Sequence, residues 1–113
     1  MSSEDLKKAQ NLQQQILVLE EHLRLYKQRL IEVETALRAI KQAKERGEQY
    51  AYQFLGANVM IKRNIDEIVS ELDEEHKLLK ERVKALESQA RELRRQFIEL
   101  TKKFETPSQA QGA

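Results

Sequence analysis

Acid–base, metal or phosphate chemistry would have to come from two histidines, a few carboxylate runs and a set of interleaved bases. His22 and His76 are far apart in the sequence, and neither has a second His at i+3 or i+4, the helical spacing that brings two imidazoles to one metal. His76 stands beside Asp73-Glu74-Glu75. It reads better as a polar residue in a helical seam, where it penalises shifted registers. Glu20-Glu21 and Glu71 with Asp73-Glu74-Glu75 would serve hydrolysis only in a concave site that perturbs one acid of a pair. Lys77, Lys80, Arg82, Lys84, Arg91, Arg94 and Arg95 alternate with Glu81, Glu87 and Glu92, while Gly47 and Gly56 are isolated rather than gathered into a phosphate loop. Surface pairing along helices accounts for both signs of charge. The expectation is a non-enzyme with no metal and no cofactor.

Composition narrows the classes further. Lys and Arg number 20 against 19 Asp and Glu, a net charge of +1 over 113 residues. A nucleic-acid binder would gather a basic excess on one face, so no nucleic-acid partner is expected. Cysteine is absent, which removes disulfides and thiolate metal sites. Met1-Ser2-Ser3-Glu4-Asp5 leads directly into polar helix, without the apolar region of a signal peptide. No apolar run approaches the roughly 18 residues of a membrane span. A soluble, cytoplasmic protein without a membrane partner is the expectation. One Pro, three Gly, no Trp and 5% aromatics suit long helices rather than an enzyme core.

The elements that position these residues follow from periodicity. From Ala9 to Ile40 apolar residues recur at alternating spacings of three and four. Ala9, Ile16, Leu23, Leu30 and Leu37 fall at a; Leu12, Leu19, Tyr26, Val33 and Ile40 fall at d. A second repeat has Val69, His76, Val83, Ala90, Phe97 and Phe104 at a, with Ile65, Leu72, Leu79, Leu86, Leu93 and Leu100 at d. Both are coiled-coil patterns. Ser2 or Ser3 can cap the first helix, Gly47 can stop it, and Asn64 or Asp66 can cap the second. Leu17, Val18, Leu25, Ile31, Leu78 and Ile98 lie outside the seam, which predicts a sticky surface along part of the shaft.

Between the repeats the pattern changes. Tyr50, Tyr52 and Phe54 recur at period two, Leu55-Gly56-Ala57-Asn58 supplies a turn, and Val59-Met60-Ile61 follows. Aromatic and β-branched residues around a short Gly/Asn turn predict a β-hairpin. The predicted fold is mainly α, an antiparallel two-helix coiled coil joined at its apex by one hairpin. It forms a single domain: helix 3–46, hairpin 50–62, helix 64–105 and a disordered polar tail 106–113 ending the helix near Pro107. Folding back pairs residues whose numbers sum to roughly 110, placing Ile40 near Leu72 and Leu12 near Phe97 or Leu100. An intermolecular coiled coil is the alternative. A lone hairpin is marginal in water, so its apolar residues call for hairpins of other subunits.

This arrangement resembles the beta-type subunit of prefoldin. Tyr52-Gln53-Phe54-Leu55-Gly56, then Val59-Met60-Ile61-Lys62 and Ile65-Asp66-Glu67, look like that family's strand–Gly–strand segment leading into the second helix. Two features depart from the pattern: no Pro precedes the first helix, and the link Arg46-Gly47-Glu48-Gln49 is short. The resemblance implies a hetero-hexamer of two alpha-type and four beta-type subunits. It implies capture of unfolded proteins at the coiled-coil tips without ATP, and their delivery to a group II chaperonin. On this sequence it assigns Tyr52, Phe54, Leu55, Val59 and Ile61 to subunit assembly. Client contact falls to Leu6, Leu12, Phe97, Leu100 and Phe104. The rival expectation is a coiled-coil structural adaptor that binds no client.

Overall fold

The structure is a computed structural model that describes residues 2–112, with side chains through Phe104. In chain order it has helix α1 (Ser3–Glu45), strands β1 (Tyr50–Gly56) and β2 (Val59–Asn64), and helix α2 (Ile65–Gly112). It is mostly helical, with one antiparallel two-stranded hairpin between two long helices.

Each junction has a local cause. Ser2 caps α1, its Oγ accepting from the backbone N–H of Asp5 at 3.0 Å, and Glu4 and Asp5 place acid in the first turn, where the helix dipole favours it. At the other end Glu48 N–H donates to the Ala43 carbonyl at 3.1 Å and Gly47 N–H to that of Lys44 at 2.9 Å. This crossed pair is a Schellman motif, and Gly47 takes the left-handed conformation it needs, with φ of 88°. The short link 46–49 is therefore the helix cap itself. Asn64 starts α2, its Oδ1 accepting from Asp66 N–H at 2.8 Å.

The end of α2 differs from expectation. The sequence placed it at 105 with a disordered tail beyond, whereas the helical backbone continues past Pro107 to Gly112. Proline removes one hydrogen bond and kinks a helix but does not by itself end it. Ala113 and the side chains from 105 onward lie outside the described residues.

The chain packs as two units, Met1–Leu25 with Val83–Ala113, and Tyr26–Arg82. In the second, Val33, Leu37 and Leu79 form a buried cluster with Tyr26, Leu30 and Leu72 packed against it. Val33 and Ile65 are each only 1% exposed; burying such a side chain stabilises by about 1.5–3 kcal/mol. Charged pairs cross between the helices in the register the seam sets. Glu75 accepts both Nε and Nη2 of Arg29 at 3.0 and 2.8 Å. Lys44 meets Asp66 at 2.8 Å, and Lys41 meets Asp73 at 3.6 Å. In the first unit Ala9, Leu23, Val83, Leu86, Ala90 and Leu100 are buried, and Arg94 lies 3.9 Å from Glu20. Every a and d position read from the sequence is buried or partly buried, and Leu17, Val18, Leu25, Ile31, Leu78 and Ile98 are exposed. No helix is long and apolar enough to cross a membrane among the described residues.

Candidate subunit-docking and client-binding surfaces

The hairpin's faces are set by its register. Tyr50 pairs with Asn64, Tyr52 with Lys62 and Phe54 with Met60, while Ala51 pairs with Arg63 and Gln53 with Ile61. Directly opposed residues share a face, and neighbours alternate. Tyr50, Tyr52, Phe54, Met60 and Lys62 therefore line one face; Ala51, Gln53, Ile61 and Arg63 line the other. The pairing slips between Phe54 and Gly56, leaving Leu55 in a bulge, and Val59 faces Gly56. The two-residue turn has φ of 48° at Ala57 and 60° at Asn58, the positive values at both central residues that a type I′ turn requires.

The first face is an apolar surface in solvent. Tyr52, Phe54 and Met60 are 67%, 63% and 58% exposed. Lys62 holds its Nζ 4.3 Å from the centre of the Tyr50 ring, a cation–π contact that keeps one end of the face polar. Of the expected assembly residues, the structure brings Tyr52 and Phe54 together on this face and puts Ile61 on the opposite one. Met60 belongs with them. The two-residue loop at 57–58 alone would set Ile61 across from Phe54; the bulge at Leu55 shifts the pairing by one and sets Met60 there instead.

At the helix ends of the first unit, Leu12 and Leu100 line one groove of about 370 Å³ with Lys8, Asn11, Gln96 and Lys103 at its sides. Leu100 is buried, Leu12, Phe97 and Phe104 are partly buried, and Leu6 is 46% exposed. Phe97 and Phe104 do not line that groove. A second groove of about 320 Å³ joins Val18, Leu19 and Leu93, with exposed His22 on its edge.

His76 sits in the seam, its Nε2 buried without a hydrogen-bond partner and 3.5 Å from Glu34 Oε2. Among the described residues no three His, Cys, Asp or Glu side chains gather as a metal site would need. Along α2, hydrogen bonds from Arg95, then Gln96, hold the Glu92 carboxyl down at about 2.

Two long helices with this seam are joined by a hairpin that leaves one apolar face in solvent. The sequence model described as prefoldin subunit matches residues 3–110, and the chain belongs to the prefoldin subunit family. It is of the beta type: the fold matches a crystal structure of the prefoldin beta subunit from Thermococcus strain KS-1 with a TM-score of 0.77 and 26% identity, over 91% of this chain and 88% of that one. No curated protein matches the sequence.

Proposed function

We propose that this chain is a subunit of an ATP-independent holdase in the cytoplasm. Its hairpin docks with alpha-type prefoldin subunits in a hetero-hexamer, and its helix ends hold unfolded proteins for delivery to a group II chaperonin. The observation that carries this reading is the bare hairpin face of Tyr52, Phe54 and Met60 in a chain of the prefoldin family. Contiguous exposed apolar surface marks a protein interface, and aromatic side chains dominate interface energetics. Leu55, Val59 and Ile61 would add to the contact from the turn and the second face.

For clients, the half-buried Phe97 and Phe104, exposed Leu6 and the groove of Leu12 and Leu100 offer apolar surface without deep pockets. Such sites suit weak, unspecific contacts that gain strength when several tips share one chain. The test mixes the chain with an alpha-type prefoldin subunit and weighs the products by native mass spectrometry. It then asks whether the complex suppresses aggregation of a denatured protein. A species of two alpha-type and four copies of this chain that suppresses aggregation is expected. A homodimer that ignores the partner would instead favour a structural adaptor.

A further inference from the structure

We infer that Arg63 is the positioning residue of the hairpin, the joint that holds its apolar face at a fixed angle to α2 and so in the geometry a second subunit needs. This rests on the docking role proposed above for that face.

Among the described residues the strand backbones bond to each other, and one further backbone bond carries the ladder a step on, Ile65 N–H to the Gln49 carbonyl at 2.9 Å. A two-stranded ribbon tied at its base is free to hinge unless a side chain fixes it. Within 50–64 only Ala51, Gly56 and Arg63 are withdrawn from solvent, and Arg63 is the one able to reach across elements. Its Nη1 and Nη2 donate to the two carboxylate oxygens of Glu71 at 2.7 and 2.6 Å. Nη1 also donates to Gln53 Oε1 at 3.0 Å, and Nη2 lies 3.6 Å from Glu67. One guanidinium thus joins β2 to β1 and to the first two turns of α2.

Packing does not duplicate this constraint. Between hairpin and helices lies a groove of about 410 Å³ floored by Ala36, Ala39, Ile40, Ile68 and Leu72, so the sheet does not rest on an apolar layer there. A planar, two-pronged guanidinium–carboxylate pair fixes direction as well as distance, which a lysine ammonium cannot do. The hydrogen bonds between them push Arg63 up and Glu71 down in pKa, so both stay charged through neutral pH.

The absence of cysteine lets spin labels at Val59→Cys and Lys80→Cys report the hairpin-to-helix distance in the full chain, with assembly measured on the matching chains that keep Val59 and Lys80 and carry no label. Arg63→Met and Arg63→Lys are expected to broaden the distance distribution at unchanged helicity. Each should weaken assembly with an alpha-type subunit by roughly tenfold. The exchange Arg63→Glu with Glu71→Arg rebuilds the pair and is expected to restore a narrow distribution and assembly together. An unchanged distribution in Arg63→Met overturns the inference. So does a broadened one with assembly intact, provided Phe54→Asp abolishes assembly. If Phe54→Asp also leaves assembly intact, the docking role itself fails and the inference falls with it.

Discussion

In the unit Tyr26–Arg82, Phe54 and Met60 face each other on a sheet surface left in solvent, whereas in the unit formed by Met1–Leu25 and Val83–Ala113, Phe97 and Phe104 are half-turned into the helical seam. The same residue type meets two fates because the elements differ. A helix pair has a partner for every a and d position. A lone hairpin has no second sheet to cover its apolar face, and a groove of about 410 Å³ lies between it and the helices that carry it. The hairpin face is therefore left in solvent, while Phe97 and Phe104 are partly covered by the seam. The ion pairs differ as well. In the unit Tyr26–Arg82, Arg29–Glu75 and Lys44–Asp66 cross between the helices at 2.8 Å, while in the other unit Glu92, Arg95 and Glu99 pair along one helix and the crossing pair Arg94–Glu20 is long, at 3.9 Å.

Phe54→Asp should break this contrast most severely. A carboxylate at the centre of an apolar interface removes a hot-spot contact worth about 2–4 kcal/mol and adds a desolvation cost. The expected outcome is loss of assembly by native mass spectrometry at full helicity by circular dichroism. An oligomer of unchanged mass would take the hairpin out of its role. Phe97→Ser with Phe104→Ser is the reciprocal change. Assembly should persist while aggregation suppression falls several-fold, and undiminished suppression by the folded variant would remove these residues from client contact.

Much of this was legible in the sequence because helices announce their faces. The three-and-four spacing names the seam residue by residue, from Ala9 to Phe104. Even the polar intruder His76 is found where the heptads put it. The hairpin was legible as an element but not in its faces. Period-two alternation cannot say how far β1 and β2 slide, and one bulge at Leu55 regroups every pair beyond it. Hence Met60, opposite Phe54, was left out of the expected surface and Ile61 was put in. Arg63 carried no signal at all. Its role depends on Glu71 and Gln53 meeting it in space, and local spacing does not encode that. At Pro107 a local stop signal was read as decisive, although the helical backbone passes through it.

The turn offers a smaller test within the hairpin unit. Ala57 sits at a φ of 48°, a conformation that costs an L residue with a Cβ roughly 1–2 kcal/mol. Ala57→Gly should recover part of that strain, less the greater freedom glycine gains when unfolded. A net gain of up to about 1 kcal/mol in unfolding free energy is expected, read as a raised denaturation midpoint, with assembly unaltered. A loss of stability would mean the type I′ geometry is not what holds the tip.

The smallest expected effect lies in the other unit and separates the two kinds of ion pair. Glu92 titrates at about 2 in the folded chain against an ordinary 4.5, chiefly because Arg95 donates to it. A carboxyl lowered on folding stabilises above its unfolded value and loses that contribution as pH falls through its folded value. The window is therefore pH 4.5 down to about 2. Glu92→Gln should flatten the fall in thermal stability across that window and shift neutral stability little, since exposed pairs contribute little. Because Glu92 and Arg95 lie on one helix, the register set by the seam should not move. A Glu92→Gln variant that loosened the pairing of α1 with α2 in its own unit would show that a pair along one helix also helps to hold that helix against its neighbour.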